Sequence, residues 1–164
     1  MTVIANLVIG IDGSTTVDGR SKGLSSNTDR QRFHQLRNQV DVIVIGGKTA
    51  RLEPYQKTPT QLVVVTREEK IESINENPLA EIWNLEPKEA IKKALIEFGS
   101  KVLIEAGPNF LLEVVDLVDE LYITITSTKG DGQVVSFDGL TRDFVMEDKE
   151  EISGETFYRF KRLR

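Results

Sequence analysis

The chain has 164 residues, 39% hydrophobic and 29% charged, a net charge of −5 and no cysteine. This is the composition of one ordinary globular domain with a core of its own. Without thiols there are no disulfides, no cysteine nucleophile and no cysteine-ligated metal, and no apolar run is long enough to cross a bilayer. Met1-Thr2-Val3-Ile4 is not a basic segment leading into an apolar stretch, so no signal peptide is expected and a cytoplasmic location is the default expectation.

In chain order, Thr2 to Ile11 reads as a buried strand closed by the turn Asp12-Gly13, and residues 14–25, rich in Ser, Thr and Gly, read as a loop. A helix is expected from Ser26 or Asn27, either of which can cap it, with Asp29 in its first turn. Phe33, Leu36 and Val40 supply its buried stripe. Val42 to Ile45 is the next strand, entering Gly46-Gly47-Lys48-Thr49 and a short helix. Leu62 to Val65 is another strand, ending at Thr66-Arg67. Glu68 to Pro78 reads as irregular and Ile82-Trp83 as a short strand. Pro87 opens a helix with an apolar face of Ala90, Ile91, Ala94, Leu95 and Phe98, stopped by Gly99. Lys101 to Ile104 is a strand and Asn109 to Leu117 a helix. Beyond Asp119 only strands are expected: Glu120 to Thr126, a turn at Gly130 and Gly132, then strands near 142–149 and 155–163. Strand–helix alternation closed by an antiparallel hairpin predicts a three-layer α/β domain over residues 1–164, with a mainly parallel sheet and antiparallel C-terminal strands.

Charge is unevenly placed. Residues 19–57 carry eight Lys or Arg against Asp29, Asp41 and Glu53, a local balance of +5 that leaves −10 on the rest of the chain. No broad basic surface is expected, so nucleic acid is a poor partner. A small anion suits the basic segment.

Two loops fit an anion. Gly46-Gly47-Lys48-Thr49 and Ala106-Gly107-Pro108-Asn109 each follow a core strand and open a helix, where free amides favour negative charge. Neither is a Walker A loop: counting back five from Gly47 reaches Val42, inside a strand. No Gly-x-Gly-x-x-Gly fingerprint occurs either. In a parallel sheet both loops lie at carboxyl ends of strands, where α/β proteins bind ligands. With Thr66-Arg67 they would fit a dinucleotide pyrophosphate and a cation near an adenosine 2′-phosphate.

The series "IGGKT", "LVVVTR" and "IEAGPNFL" is similar to the nucleotide-binding half of the dihydrofolate reductase fold. More closely, "IGIDGSTT", "DRQRFHQLRNQVDVIVIGGKT", "VLIEAGPNFL" and "LVDELYITITSTKGDG" together resemble the reductase domain of riboflavin biosynthesis, in one register over most of the chain. The resemblance implies a dihydrofolate-reductase-like fold and a reduction in which NADPH delivers hydride to C1′ of a ribosylamino-pyrimidine 5′-phosphate. It places NADPH on Lys48, Thr49, Thr66, Arg67, Ala106, Gly107, Asn109 and Phe110. The phosphate of the small-molecule substrate falls on Ser21, Ser25 and Arg37, and Asn6 joins the substrate pocket. By the same resemblance Glu53 and Glu105 would be the catalytic carboxylates, orienting ribose hydroxyls or stabilising an iminium-like centre. A homodimer is also implied. The pattern departs from the family at Asn6 (usually Lys), Glu53 (usually Asp) and Ala106 (usually Gly). Pro54 alone remains of an Asn-Pro, and Lys57 is the nearest cation to a missing Leu-Thr-x-Arg. No fused deaminase domain is expected. Two alternatives stay open: a dihydrofolate reductase with Asp29 as proton donor, and a ligand-binding paralogue without turnover. Capping explains Asp29 without chemistry. Glu105 could instead be a structural latch, bonded to backbone amides of a neighbouring loop, His34 a surface or helix-packing residue and Trp83 a core or subunit-contact residue.

Overall fold

A computed structural model describes all residues, 1–164. Thr2–Ile9 forms β1, and the chain turns back through Gly10 and Asp12 into β2 (Ser14–Thr16). The first strand ends two residues before the expected Ile11 because Gly10 N–H donates to Ser14 O at 2.8 Å. A Cβ at Gly10 would stand 2.6 Å from Ser14 Oγ, so only glycine permits this turn. A 3-10 turn, Ser21–Gly23, precedes α1 (Asn27–Arg37). Ser26 caps that helix, its Oγ accepting from Asp29 N–H at 3.0 Å.

Next come β3 (Val42–Gly46), α2 (Gly47–Leu52), β4 (Gln61–Val65), a 3-10 turn at Glu72–Ile74 and β5 (Ala80–Trp83). Pro87 opens α3 (Pro87–Glu97), and β6 (Lys101–Ile104) leads to α4 (Pro108–Val114). The helix expected to run to Leu117 tightens to a 3-10 turn over Val115–Leu117. β7 (Glu120–Ile125), β8 (Asp131–Val134), α5 (Phe137–Thr141), β9 (Phe144–Ile152) and β10 (Glu155–Arg162) complete the chain.

Eight strands form one sheet in the order β5-β4-β3-β6-β1-β7-β10-β9. The first six are parallel; β10 and β9 run antiparallel at one edge. This is the three-layer architecture expected from the alternation of elements. Val42 and Val44 of β3, Ile104 of β6 and Val3 and Ala5 of β1 pack with Ala90, Ile91 and Ala94 of α3 and Leu111 and Val114 of α4. Their neighbours Ile43, Ile45, Leu103 and Ile4 point the other way, to Leu36 of α1, Ala50 of α2 and Tyr55. No helix is long and apolar enough to cross a membrane.

Two features depart from the sequence reading. β2 and β8 pair as a separate antiparallel ribbon where only a loop and a turn were expected. Both strands are too short for a period-2 signal, and β8 is exposed throughout. The ribbon is closed by backbone approach: a Cβ at Gly130 would collide with Thr16 O, and one at Gly132 would lie 2.5 Å from Thr16 Oγ1. α5 is the other surprise, a five-residue helix capped by Ser136 and buried only at Leu140.

Because α1 carries residues of the cleft described below, its cap has a measurable consequence. Ser26→Ala removes the acceptor for Asp29 N–H and should lower unfolding free energy by about 1 kcal/mol. Urea titration should show a shifted midpoint with an unchanged slope.

Candidate functional site

A cleft of about 750 Å³ opens at the carboxyl ends of the central parallel strands. The loops after β3 and β6 form its floor, α1 with the preceding Ser21–Ser25 segment forms one wall, and the β2–β8 ribbon overhangs it. The sheet itself dictates this position. β6 lies between β3 and β1, and the residues after these strands emerge together.

Alternation then selects the faces. Leu103 faces α1 and Ile104 faces α3, so the next residue, Glu105, returns to the α1 side. Its carboxylate meets Arg37, the last residue of α1. Arg37 Nε donates to Oε1 and Nη2 to Oε2, both at 2.7 Å, and the two side chains are only 9% and 3% exposed. Tyr55 hydroxyl donates to the same Oε2 at 2.7 Å. The guanidinium also lies over the rings of Phe33 (4.3 Å) and Tyr55 (5.2 Å). Tyr55 is itself fastened, its carbonyl accepting from Asn77 Nδ2 at 3.0 Å. Two buried charges are tolerated because the fork geometry is complete and the carboxylate has a third donor.

Protonation follows from these contacts. Burial, then the neighbouring Glu105 carboxylate, pushes the Tyr55 hydroxyl well above its ordinary range. Burial alone would lower the Arg37 pKa, but hydrogen bonding and attraction to Glu105 outweigh it and hold the guanidinium above its usual value.

The sequence reading put Glu105 on a ribose hydroxyl and Arg37 on a phosphate; in the structure they hold each other. The latch considered for Glu105 is present, but with side-chain partners rather than backbone amides. The other assigned groups are paired in a similar way. Ser21 donates through N–H (2.7 Å) and Oγ (2.9 Å) to one oxygen, Oε1, of Glu53. Ser25 Oγ donates to Asp29 Oδ2, a carboxylate only 6% exposed. Asn6 is half-buried and lines the cleft beside Glu105. Phe33, expected in the buried stripe of α1, is half-buried and also lines the cleft.

Lys48, Thr49, Ala106, Gly107, Asn109 and Phe110 all line the same cleft. Thr66 and Arg67 do not. Thr66 sits under the β3 loop, its Oγ1 accepting from Glu68 N–H at 3.2 Å, and Arg67 is exposed. Gly47 and Gly107 have different surroundings. A Cβ on Gly47 would stand 2.8 Å from Thr66 Oγ1, so its glycine lets α2 pack on β4. A Cβ on Gly107 would meet nothing within 4 Å, and its φ is an ordinary −63°. Its empty side-chain position therefore belongs to the cleft. Ala106 is buried in the core at 6% exposure. Asn109 Oδ1 accepts from Gln133 Nε2 at 2.9 Å, which ties the ribbon to the far side of the cleft.

Sequence reasoning missed Tyr55, Asn77 and Gln133. Their partners lie 50, 22 and 24 residues away, and no local pattern marks any of them. His34 is exposed, as expected, and Trp83 is in the core, stacked on Phe98 with centroids 5.8 Å apart.

The family description "RibD C-terminal domain" matches residues 1–143. In fold the chain is similar to the diaminohydroxyphosphoribosylaminopyrimidine deaminase/5-amino-6-(5-phosphoribosylamino)uracil reductase of Thermotoga maritima. That match has a TM-score of 0.82 at 16% identity and covers 99% of this chain and 56% of that one. RibD of Acinetobacter baumannii gives 0.73 at 15% identity, covering 99% and 58%. A pyrimidine reductase-like protein of Corynebacterium diphtheriae gives 0.67 at 19%, covering 99% and 92%. The shared architecture is the three-layer dihydrofolate-reductase-like fold, and the chain spans little more than half the length of the first two proteins. No curated protein sequence matches it.

Removing one partner of the Arg37–Glu105 pair should be costly. Arg37→Met is expected to lower unfolding free energy by about 3–5 kcal/mol, because it leaves a buried carboxylate uncompensated. Arg37→Met, Tyr55→Phe and Glu105→Leu together should recover most of that loss in denaturant titrations. Tyr55 adds a pH signature. Its proton is retained in the folded chain and lost in the unfolded one above about pH 10, so its contribution is complete below that pH and falls as pH rises. Melting temperature should decline less between about pH 9 and 11 in Tyr55→Phe than in the wild type.

Proposed function

The chain belongs to the RibD C-terminal domain family, and from that premise we propose that it is an NADPH-dependent reductase of a ribosylamino-pyrimidine 5′-phosphate. The observation that carries this reading is the open position at Gly107. A glycine with no conformational or packing need inside the protein faces the cleft that is also lined by Lys48 and Thr49 of α2 and Asn109 and Phe110 of α4. A pyrophosphate would approach the backbone there. The cleft volume, about 750 Å³, lies within the range of small-ligand sites.

NADPH would supply hydride to C1′, with protonation of the released ring oxygen giving a ribityl chain. The protein's part is to position and to exclude water. Lys48 and Thr49 would hold phosphate oxygens, and the ribbon, tied by Gln133 to Asn109, would cover them. Thr66 and Arg67, beside Gly47, would meet the adenosine end beyond the cleft itself. Asn6 would face the substrate from β1.

Of the two carboxylates, Glu53 is the one with a free oxygen. Ser21 occupies Oε1 alone, so Oε2 can accept from a ribose hydroxyl. Glu105 already accepts three hydrogen bonds and would act mainly by holding Arg37 and Tyr55 in the wall. A homodimer and a cytoplasmic location complete the reading.

NADPH at about 100 times its Kd should stabilise the chain by about 2.7 kcal/mol. Gly107→Val should fold normally, with an unchanged melting temperature in buffer, yet lose that stabilisation. No thermal shift with millimolar NADPH in the wild type would sink the reductase reading and favour a paralogue with another ligand. A wild type that oxidises NADPH with dihydrofolate, and a collapse of that activity in Asp29→Asn, would favour the folate reaction instead.

A further inference from the structure

Just beyond the cleft, side chains from α2 and from the end of β4 meet at Gly47. The position a Cβ would take on that glycine lies 2.8 Å from Thr66 Oγ1 and 3.2 Å from Arg51 Nη1. Arg51 sits one turn further along α2, so its side chain runs back towards the start of the helix. There Nη1 donates to Glu68 Oε1. Glu68 belongs to the segment after β4, and its N–H donates to Thr66 Oγ1 at 3.2 Å. Gly47 lines the cleft, whereas Arg51, Thr66 and Glu68 do not. The three form a small charged platform on its rim.

The ion pair on this platform contributes little to holding the fold. The side chains of Arg51 and Glu68 are each 47% exposed, and a pair so open to solvent is weak. The turn that Glu68 makes on Thr66 uses its backbone and leaves its carboxylate out. What the pair does have is the chemistry that separates two nucleotides. In dinucleotide-binding α/β folds an acid accepts from the adenosine 2′-hydroxyl, or an arginine accommodates a 2′-phosphate. Here both groups stand at one place and hold each other. A guanidinium with one N–H engaged keeps four more for a phosphate.

We propose that the Arg51–Glu68 pair sets the choice between NADPH and NADH, with Glu68 holding down the preference for NADPH that Arg51 would give alone. The inference rests on the reading of the cleft as a nicotinamide-dinucleotide site whose adenosine end lies beside Thr66. Arg51 would leave Glu68 for a 2′-phosphate, and the like charge of the nearby carboxylate would offset part of that attraction. Glu68 would accept from a 2′-hydroxyl without releasing Arg51. The discrimination is therefore made by two exchangeable surface charges rather than by the shape of a pocket.

Isothermal titration of the full chain with 2′,5′-ADP and with 5′-AMP isolates the 2′-phosphate. Glu68→Gln should tighten 2′,5′-ADP about fivefold, the upper end for a solvent-screened charge, and leave 5′-AMP nearly unchanged. Arg51→Gln should weaken 2′,5′-ADP by a similar factor and also spare 5′-AMP. The gain from Glu68→Gln should shrink in an Arg51→Gln background, because part of it comes from freeing Arg51. Both variants should melt near the wild-type temperature. The exposed pair Lys88–Asp116, outside the cleft, is the charge-matched control: Lys88→Gln and Asp116→Asn should leave both affinities at wild-type values. Thermal shifts with NADPH and NADH should follow the same order as the two smaller nucleotides. An unchanged ratio of 2′,5′-ADP to 5′-AMP affinity in the two single variants overturns the proposal, as does a loss in Arg51→Gln that is equal for both ligands. NADPH stabilisation of the wild type with that ratio unchanged overturns the role of the pair and leaves the reductase reading standing. Failure of the wild type to bind any of the four nucleotides overturns both. Binding of 2′,5′-ADP that depends on the pair, without any shift by NADPH or NADH, supports the pair and overturns the reductase.

Discussion

The forked pair between Arg37 and Glu105 joins three parts of the chain with no other reason to meet at this point. It joins the C-terminus of α1, the carboxyl end of β6 and, through the Tyr55 hydroxyl, the loop after α2. Solvation disfavours burying either charge alone, so the pair is tolerated only in this geometry. It resists slippage as well. A one-residue shift of β6 would turn Glu105 to the α3 face, among aliphatic side chains with no cation. The α1 wall of the cleft is therefore held by an interaction with one acceptable register. Arg37 at the last turn of α1 also suits the negative end of the helix.

From this wall the cleft divides by charge state. Its carboxylates Asp29, Glu53 and Glu105 each accept from a neighbouring donor, and Glu53 keeps Oε2 free. Lys22, Arg30, Lys48 and Lys57 also line the cleft, and none of them has an ion-pair partner. The β2–β8 ribbon closes the remaining side through the contact of Gln133 with Asn109.

Two glycines separate architecture from ligand space. Gly47 is needed by the protein, since any side chain there would strike Thr66 and lift α2 from β4. Gly107 has no such neighbour: a Cβ there would meet nothing within 4 Å, and the position opens into the cleft. Ala106, where the family usually has glycine, has its methyl in the core rather than in the open position of Gly107. The departure at that residue therefore leaves the loop's open position intact.

What the sequence determined alone was the order of elements and the end of the sheet that carries the site. Continuous apolar runs at Val42 to Ile45 and Leu62 to Val65 and a period of 3.6 in Ala90 to Phe98, with Pro87 and Gly99 as punctuation, are local properties and could be read locally. Glycines after β3 and β6 likewise marked two segments that line the cleft. The β2–β8 ribbon and α5 escaped because they are short and depend on contacts such as Gly130 against Thr16. The partners of polar groups were decided by tertiary structure alone. Arg37, Glu105 and Tyr55 are distant in sequence, and a carboxylate at the end of a strand looks the same whether it awaits a ligand or an arginine. Only the packing of α1 across β6 shows which donors are already taken.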